Sequence, residues 1–506
     1  MSERLRSVRL NAKDNVVISV DTVARGITVE GCVTRDAIPR GHKLAAVRIL
    51  AGQPIVKFGQ TIGIANRAIE PGEHVHEHNC AMGDFQRDYR FAEAPNDPTM
   101  VAAADRRTFQ GFRRGGGRVG TRNYVGILTS VNCAASAARF IAESVNRSGI
   151  LVDYPSVDGV VSFVHGTGCA MDAGGEGYRT LERTQWGYAT HPNLAAVLLV
   201  GLGCETFQIP KLKERYGLVE GEHFRTMTIQ ASGGTRRTVE QGVEVVTEML
   251  RSASRSQRET VPASEITLAL QCGGSDGYSG ITANPSLGRA VDLLVAQGGT
   301  AVLSETPEIY GAEHLLTRRA ASTEIGEKLI ERIRWWEDYT ARNAMAMNNN
   351  PSPGNKAGGL TTILEKSLGA AAKGGTTTLR GVYAYAEPIS EHGLVFMDSP
   401  GYDPASVTGQ VASGCNVIAF TTGRGSAFGY KPAPSIKLAT NTPMFQRMSE
   451  DMDINCGDVL DGTSIEEKGA QIFEHVLAVA SGERTKSELL GYGDNEFVPW
   501  QIGAVM

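Results

Sequence analysis

Four times in this 506-residue chain a short apolar run of strand length breaks off into a loop that carries a cysteine, beside glycine in three of the four. Val125-Gly126-Ile127-Leu128 leads through Thr129-Ser130-Val131-Asn132 to Cys133. Gly159-Val160-Val161-Ser162-Phe163-Val164 ends in His165-Gly166-Thr167-Gly168-Cys169. The run from Ala195 to Val200 ends in Gly201-Leu202-Gly203-Cys204-Glu205, and the run from Ile266 to Leu270 ends in Gln271-Cys272-Gly273-Gly274-Ser275-Asp276. Apolar runs this short read as buried strands, and helical patterns between them mark the alternation of an α/β fold. In open α/β sheets ligands bind outside the carboxyl ends of the strands. The pattern therefore predicts that Cys133, Cys169, Cys204 and Cys272, with Glu205, line one crevice. Cys32, Cys415 and Cys456 lack this setting and read as small buried hydrophobes.

A chain of this length exceeds a single core and splits into domains. Residues 1–88 look β-rich, with Val16-Val17-Ile18-Ser19-Val20 and Leu44–Leu50 separated by turn residues and no persistent helical period. Residues 89–107, with Ala94-Pro95-Asn96-Asp97-Pro98, read as a linker. An α/β domain follows over 108–255 and a second over 256–506, with Arg251 to Pro262 expected to loop out between them. A net charge of −5 offers no basic face for nucleic acid. The longest apolar run, near Leu194 to Leu202, is far short of a bilayer span. The N-terminus lacks the apolar core of an export signal, so the cysteines imply a reducing compartment and a cytoplasmic protein. No strand is followed by Gly-x-Gly-x-x-Gly with an acidic residue about 20 positions on, which argues against a nucleotide cofactor. A homodimer is only the default expectation for a soluble enzyme.

Three further stretches carry chemistry. Glu73-His74-Val75-His76-Glu77-His78-Asn79 sets histidines at alternate positions, and alternate residues of a strand share a face, so His74, His76 and His78 form an alternative metal site. Asn350-Pro351-Ser352-Pro353-Gly354-Asn355-Lys356 offers Lys356 as a point charge for an anion. Thr422-Gly423-Arg424-Gly425 places Arg424 to grip a carboxylate with two N–H groups.

These stretches, with Pro39-Arg40-Gly41-His42-Lys43 and Gly120-Thr121-Arg122-Asn123, occur in order across nearly the whole chain, and together they resemble the galactarate dehydratase/altronate dehydratase family. The resemblance implies a small N-terminal β-clip (SAF-like) domain before a large α/β body of two Rossmann-like parts. It also implies a divalent metal, Fe2+ or Mn2+, and a six-carbon sugar-acid substrate. The histidine-rich Glu73–Asn79 is similar to the altronate branch, and Gln257–Thr260 and Met452–Asn455 to the galactarate branch. D-altronate is the expected substrate, with galactarate, and carbon–sulfur cleavage of sulfolactate by related subunits, as alternatives. A non-catalytic sugar-acid binding protein is the rival from another class.

Dehydration of such an acid removes the C2 proton beside the carboxylate and expels the C3 hydroxyl, leaving an enol that becomes a 2-keto-3-deoxy acid. A metal held by the carboxylate and a hydroxyl stabilises the charge that develops, while a base and an acid move protons. On this reading His165 is the leading base, and His42 with Lys43 acts from the first domain as metal ligand or proton donor. Arg122, Asn123, Lys356 and Arg424 are candidates for the substrate's polar groups, and Ser275, Asp276 and Asn284 for its hydroxyls. Thiolates favour soft sites, so the cysteines are open to an iron–sulfur centre or a mononuclear ion.

Overall fold

The computed structural model describes residues 5–83 and 87–503. Its first domain is built of short antiparallel strands. β1 (Val16–Ser19) pairs with β2 (Lys43–Ala45), and β2 with β3 (His74–Val75). A second small sheet joins Pro54–Lys57, Gln60–Ala65 and Cys80–Ala81. Val16, Ala45, Ile55 and Ile62 fill the space between them and pack outward onto Leu368 and Ala371 of the last domain. The domain's own core is thus completed by its neighbour.

The second domain is a four-stranded parallel sheet. β4 (Tyr124–Thr129), α1 (Ala135–Arg147), β5 (Gly159–Phe163), α2 (Glu176–Ala189), β6 (Leu194–Gly201), β7 (Phe224–Thr228) and α3 (Thr235–Ala253) follow in order. Spatially the strands run β5-β4-β6-β7. Both faces are covered by helices, which is why β4 and β6 are buried at every position and read as unbroken apolar runs.

The third domain carries a seven-stranded parallel sheet. β8 (Thr267–Cys272), α4 (Ala283–Ala296), β9 (Thr300–Leu303), α5 (Thr323–Arg342), α6 (Ile363–Ala371) and β10 (Leu379–Tyr383) form its first half. β11 (Gly393–Met397), α7 (Asp403–Ala412), β12 (Val417–Thr422), β13 (Ser435–Ala439), β14 (Ile454–Asn455) and α8 (Ile465–Ala480) complete it. The strand order is β10-β11-β9-β8-β12-β13-β14.

The stretch from Arg251 to Pro262, expected to loop out, does not. α3 continues to Ala253, and Glu259–Pro262 forms a strand paired antiparallel with Thr108–Arg113. The second domain therefore begins and ends at one small antiparallel sheet, whose third strand is Val119–Gly120. Residues 89–107 are likewise no free linker: Ala92 N–H donates to Thr317 O, Ala94 to Arg318 O and Val101 to Ala296 O. The two α/β domains share a core in which Phe163 and Tyr188 meet Val395, Phe420 and Tyr430, so they form one body.

Candidate active site

From β8 the chain passes on one side to β9 and returns on the other through β12, with β8 hydrogen-bonded to both. The crevice outside these three carboxyl ends is the topological switch point of the sheet, where such folds bind ligands. β8 delivers Cys272, β9 leads into Glu305 and the short helix holding Glu308, and β12 leads into Gly423 and Arg424. A Cβ at Gly273 would lie 2.3 Å from Asp403 Oδ2. Glycine there lets the carboxylate at the start of α7 approach the strand end.

Ligand atoms of Cys272, Glu305 and Glu308, all three residues buried, lie within 4.8 Å of one another. Cys272 Sγ stands 3.4 Å from Glu308 Oε2 and 2.9 Å from Lys373 Nζ, which also donates to Glu305 Oε2 at 3.3 Å. Lys366 Nζ donates to Glu308 Oε1 and to Asn350 Oδ1, each at 2.8 Å. Four acids, counting Asp403, face two ammonium groups. Burial resolves the excess: it pushes the Cys272 thiol up to about 12, and burial with the nearby Glu308 raises Asp403 to about 7. Glu305 Oε1 has no hydrogen-bond partner, and the Glu305 backbone takes a left-handed φ of 68° without being glycine. An orphaned buried oxygen on a strained residue is a mark of a functional position. One thiol and two carboxylates, which ligate once deprotonated, make a mixed donor set that fits a divalent transition ion.

The first domain closes over this crevice. Lys43 and Lys57 both reach Glu365 on α6, with N···O distances of 2.9 Å and all three side chains buried. Burial alone would raise Glu365, but the two ammonium groups outweigh it and hold the carboxyl well below its usual range. Beside Lys43, His42 Nδ1 lies 3.0 Å from His74 Nε2, and its Nε2 lies 3.2 Å from the Ala357 carbonyl oxygen. His76 Nε2 meets the Lys356 carbonyl oxygen at 2.9 Å, and its ring stacks on both His42 and His74. His78 packs against His74. Burial lowers His42 to about 4, and burial with the neighbouring imidazoles lowers His74 to about 3, so both rings are neutral. Lys356 pairs with Glu77 at 2.6 Å. Arg424 is exposed, crosses over Gly358 beside Asp276, and has no carboxylate partner among the described residues. A cavity of about 10 Å³, room for one water, lies beneath, lined by Ser275, Asp276, Asn284, Glu365 and Lys366.

Several expectations are corrected by this geometry. Cys272 does not share a crevice with the other three thiols, because it ends a strand of a different sheet. Arg122 has no N–H group to spare for a substrate: all five go to Glu488 and to the carbonyl oxygens of Thr121, Val479 and Glu483. Asn123 is fixed by Asp158, Ser156 and Ala253. His165 is buried, with Nε2 against Thr129 O at 2.7 Å and Nδ1 accepting from Thr167 N, so neither nitrogen serves as a base. Glu205 accepts from Ser130 Oγ and from the N–H groups of Leu202 and Gly203, which ties it into the framework of its own loop. Lys43 is a tie rather than a proton donor, with Nζ engaged by Glu365 and by Gly359 O. Asp276 is saturated by Tyr278 N, Ser279, Thr440 and Asn441, and Asn284 joins Thr421 to Gly369. Both act as fasteners of the loops.

Lys366, Lys373 and Asp403 escape the reading of the sequence, which marks Ser304-Glu305-Thr306-Pro307-Glu308 only as a loaded strand end. Lys366 and Lys373 sit in Ile363-Leu364-Glu365-Lys366-Ser367-Leu368-Gly369-Ala370-Ala371-Ala372-Lys373, where charges in a run of small and apolar residues signal paired burial.

Family models match three consecutive parts of the chain. The altronate/galactarate dehydratase SAF domain covers residues 5–83, the second domain of D-galactarate dehydratase/altronate hydrolase covers 111–254, and the D-galactarate/altronate dehydratase C-terminal domain covers 263–505. The chain is 35% identical to altronate dehydratase of Bacillus subtilis over 95% of its own length and 96% of the relative's. It is 36% identical to galactarate dehydratase (L-threo-forming) of Escherichia coli over 94% and 93%. It is also 34% identical to (2R)-sulfolactate sulfo-lyase subunit beta of Chromohalobacter salexigens, over 78% of this chain and 97% of that subunit. With three domain matches in order and relatives of full length, the chain belongs to the galactarate/altronate dehydratase family and is a hydro-lyase of that type.

Proposed function

We propose that this enzyme dehydrates a hexonate or hexarate, D-altronate first, to a 2-keto-3-deoxy acid, using Fe2+ or Mn2+ held by Cys272, Glu305 and Glu308. The observation that carries the reading is the excess of buried acids over ammonium groups at the switch point, with Glu305 Oε1 unpartnered. When bound, the ion supplies Lewis-acid stabilisation of the negative charge that develops on the substrate carboxylate. Arg424 grips that carboxylate, and Lys356 adds a second positive charge at the mouth. The His42–His74 pair is the base. A carbonyl can only accept, so His42 carries its proton on Nε2 toward Ala357 and presents Nδ1 to His74. His74 is left with a free lone pair at its own Nδ1 for the C2 proton. Lys366, at the edge of the cavity beside Ser275, donates a hydrogen bond to the departing C3 hydroxyl. The histidine-rich Glu73–Asn79 supports altronate over galactarate. The eight unpaired cysteines fit a reducing, cytoplasmic setting.

The test is anaerobic turnover of D-altronate, galactarate and sulfolactate side by side. A keto-deoxy acid from D-altronate, lost in chelator and restored by Fe2+ or Mn2+, supports the reading. Product from galactarate alone moves the substrate, and sulfite from sulfolactate moves the reaction to carbon–sulfur cleavage. Full activity in chelator rejects the metal.

A further inference from the structure

Three of the eight cysteines are exposed, and they are Cys133, Cys169 and Cys204. Each follows the carboxyl end of a different strand of the second domain, and those strands, β5, β4 and β6, are adjacent in the sheet. Neighbouring strands lie about 4.8 Å apart, so the three loops converge within one small area.

They are also fastened to one another. Asn132 N donates to Thr167 O at 3.0 Å and Asn132 Nδ2 to His165 O at 3.1 Å, joining the Cys133 and Cys169 loops. Phe207 N donates to Gly168 O at 2.9 Å, joining the Cys169 and Cys204 loops. Ser130 Oγ donates to Glu205, which closes the ring. Gly168 sits at φ +104°, and a Cβ there would lie 2.1 Å from Ser130 O, so the approach of two of these loops depends on it. Cys169 Sγ accepts from the backbone N–H groups of Thr206 and Ala170.

The other donors nearby are already engaged. His165 and Glu205 are committed to hydrogen bonds of the framework. Three thiols remain, facing solvent. A single tetrahedral ion with bonds of about 2.3 Å needs sulfurs roughly 3.8 Å apart. These three sulfurs form no group within 4.8 Å of one another. A cuboidal cluster holds each thiolate on a separate iron and so accepts wider spacing, and hydrogen bonds to sulfur are a usual part of such sites.

We infer that Cys133, Cys169 and Cys204 ligate a four-iron, four-sulfide cluster on the second domain, with its fourth iron open, as a centre separate from Cys272, Glu305 and Glu308. Each thiol ligates as thiolate and gives its proton to solvent. The inference does not depend on the substrate or on the divalent ion.

The experiment is iron and acid-labile sulfide analysis of the protein, reconstituted anaerobically with equal amounts of ferric and ferrous iron and with sulfide, whose charges sum to the oxidised cluster, alongside its visible absorption and the EPR of the dithionite-reduced form. About four sulfides per chain are expected, with about four irons in the cluster besides any ion held by Cys272, Glu305 and Glu308. Cys133→Ser, Cys169→Ser and Cys204→Ser should each lose most of the sulfide and the visible absorption, with far-UV circular dichroism unchanged. Cys272→Ser should keep both. The inference is overturned if the wild type holds no sulfide, if Cys169→Ser retains the wild-type amount, if the absorption is lost in Cys272→Ser, or if the three thiols take zinc without sulfide.

Discussion

Glu305 joins three properties seldom found together in one residue: complete burial, a left-handed backbone and an oxygen without a partner. Glu308 differs, because its two oxygens already meet Lys366, Asn350 and the Cys272 thiol. Glu305→Gln should therefore weaken Mn2+ or Fe2+ binding by at least about 100-fold, measured by anaerobic titration, while keeping the fold. At the histidine pair the sign of the pH effect is fixed by the direction of the shifts. A base must be neutral to accept a proton, and activity falls as pH drops through its pKa. With His42 near 4 and His74 near 3, the acid limb of kcat/KM, which reports groups of the free enzyme, should lie below about pH 5. A limb near the ordinary histidine value of about 6.5 would assign the base to another imidazole.

Among the elements, α6 fastens the first domain to the third. Glu365 on it is the shared counter-charge of Lys43 and Lys57. Its folded pKa is depressed below the ordinary 4.5, so its stabilisation is complete above about pH 4.5 and fades as pH falls toward the folded value. Glu365→Gln leaves two buried ammonium groups without a partner and should cost about 3–5 kcal/mol at neutral pH, read by denaturant unfolding. Arg122 plays the same part between the second domain and the C-terminal segment, paired with Glu488 at 2.6 Å. Arg122→Met should likewise cost about 3–5 kcal/mol and leave KM for the sugar acid unchanged. A raised KM at full stability would return Arg122 to the substrate site.

Arg122 also shows how far the sequence can be read. A glycine-flanked arginine before a strand looks alike whether it binds a ligand or a partner 366 residues away. The strands, their helices and the chemistry at their ends were legible because burial on both faces forces unbroken apolar runs, as in β6. Which sheet each strand joined was not, since the periodicity of Thr267–Cys272 matches that of Tyr124–Thr129. The pattern therefore groups Cys272 with three thiols from which the fold separates it. Lys366 and Lys373 carry no signal of their partners, because Glu308 and Glu305 lie far off in sequence and meet them only in the folded chain.

At the scale of the whole molecule, one crevice is built from two distant parts of the chain. The third domain supplies the acids and ammonium groups at its switch point, and the first domain lays His42, His74 and His76 across the mouth. The second domain shares a core with the third but contributes no side chain to this crevice among the described residues. The central claim is that Cys272, Glu305 and Glu308 hold the divalent ion. The most direct measurement is anaerobic Mn2+ titration of the full chain followed by EPR of the free ion, comparing wild type, Glu305→Gln, Cys272→Ser and Cys169→Ser. The account predicts about one tightly bound Mn2+ in wild type and in Cys169→Ser, because Cys169 ends a strand of a different sheet from Cys272, and loss of that binding in the other two. Wild-type affinity in Glu305→Gln and Cys272→Ser would contradict it and move the ion to the histidines of the first domain.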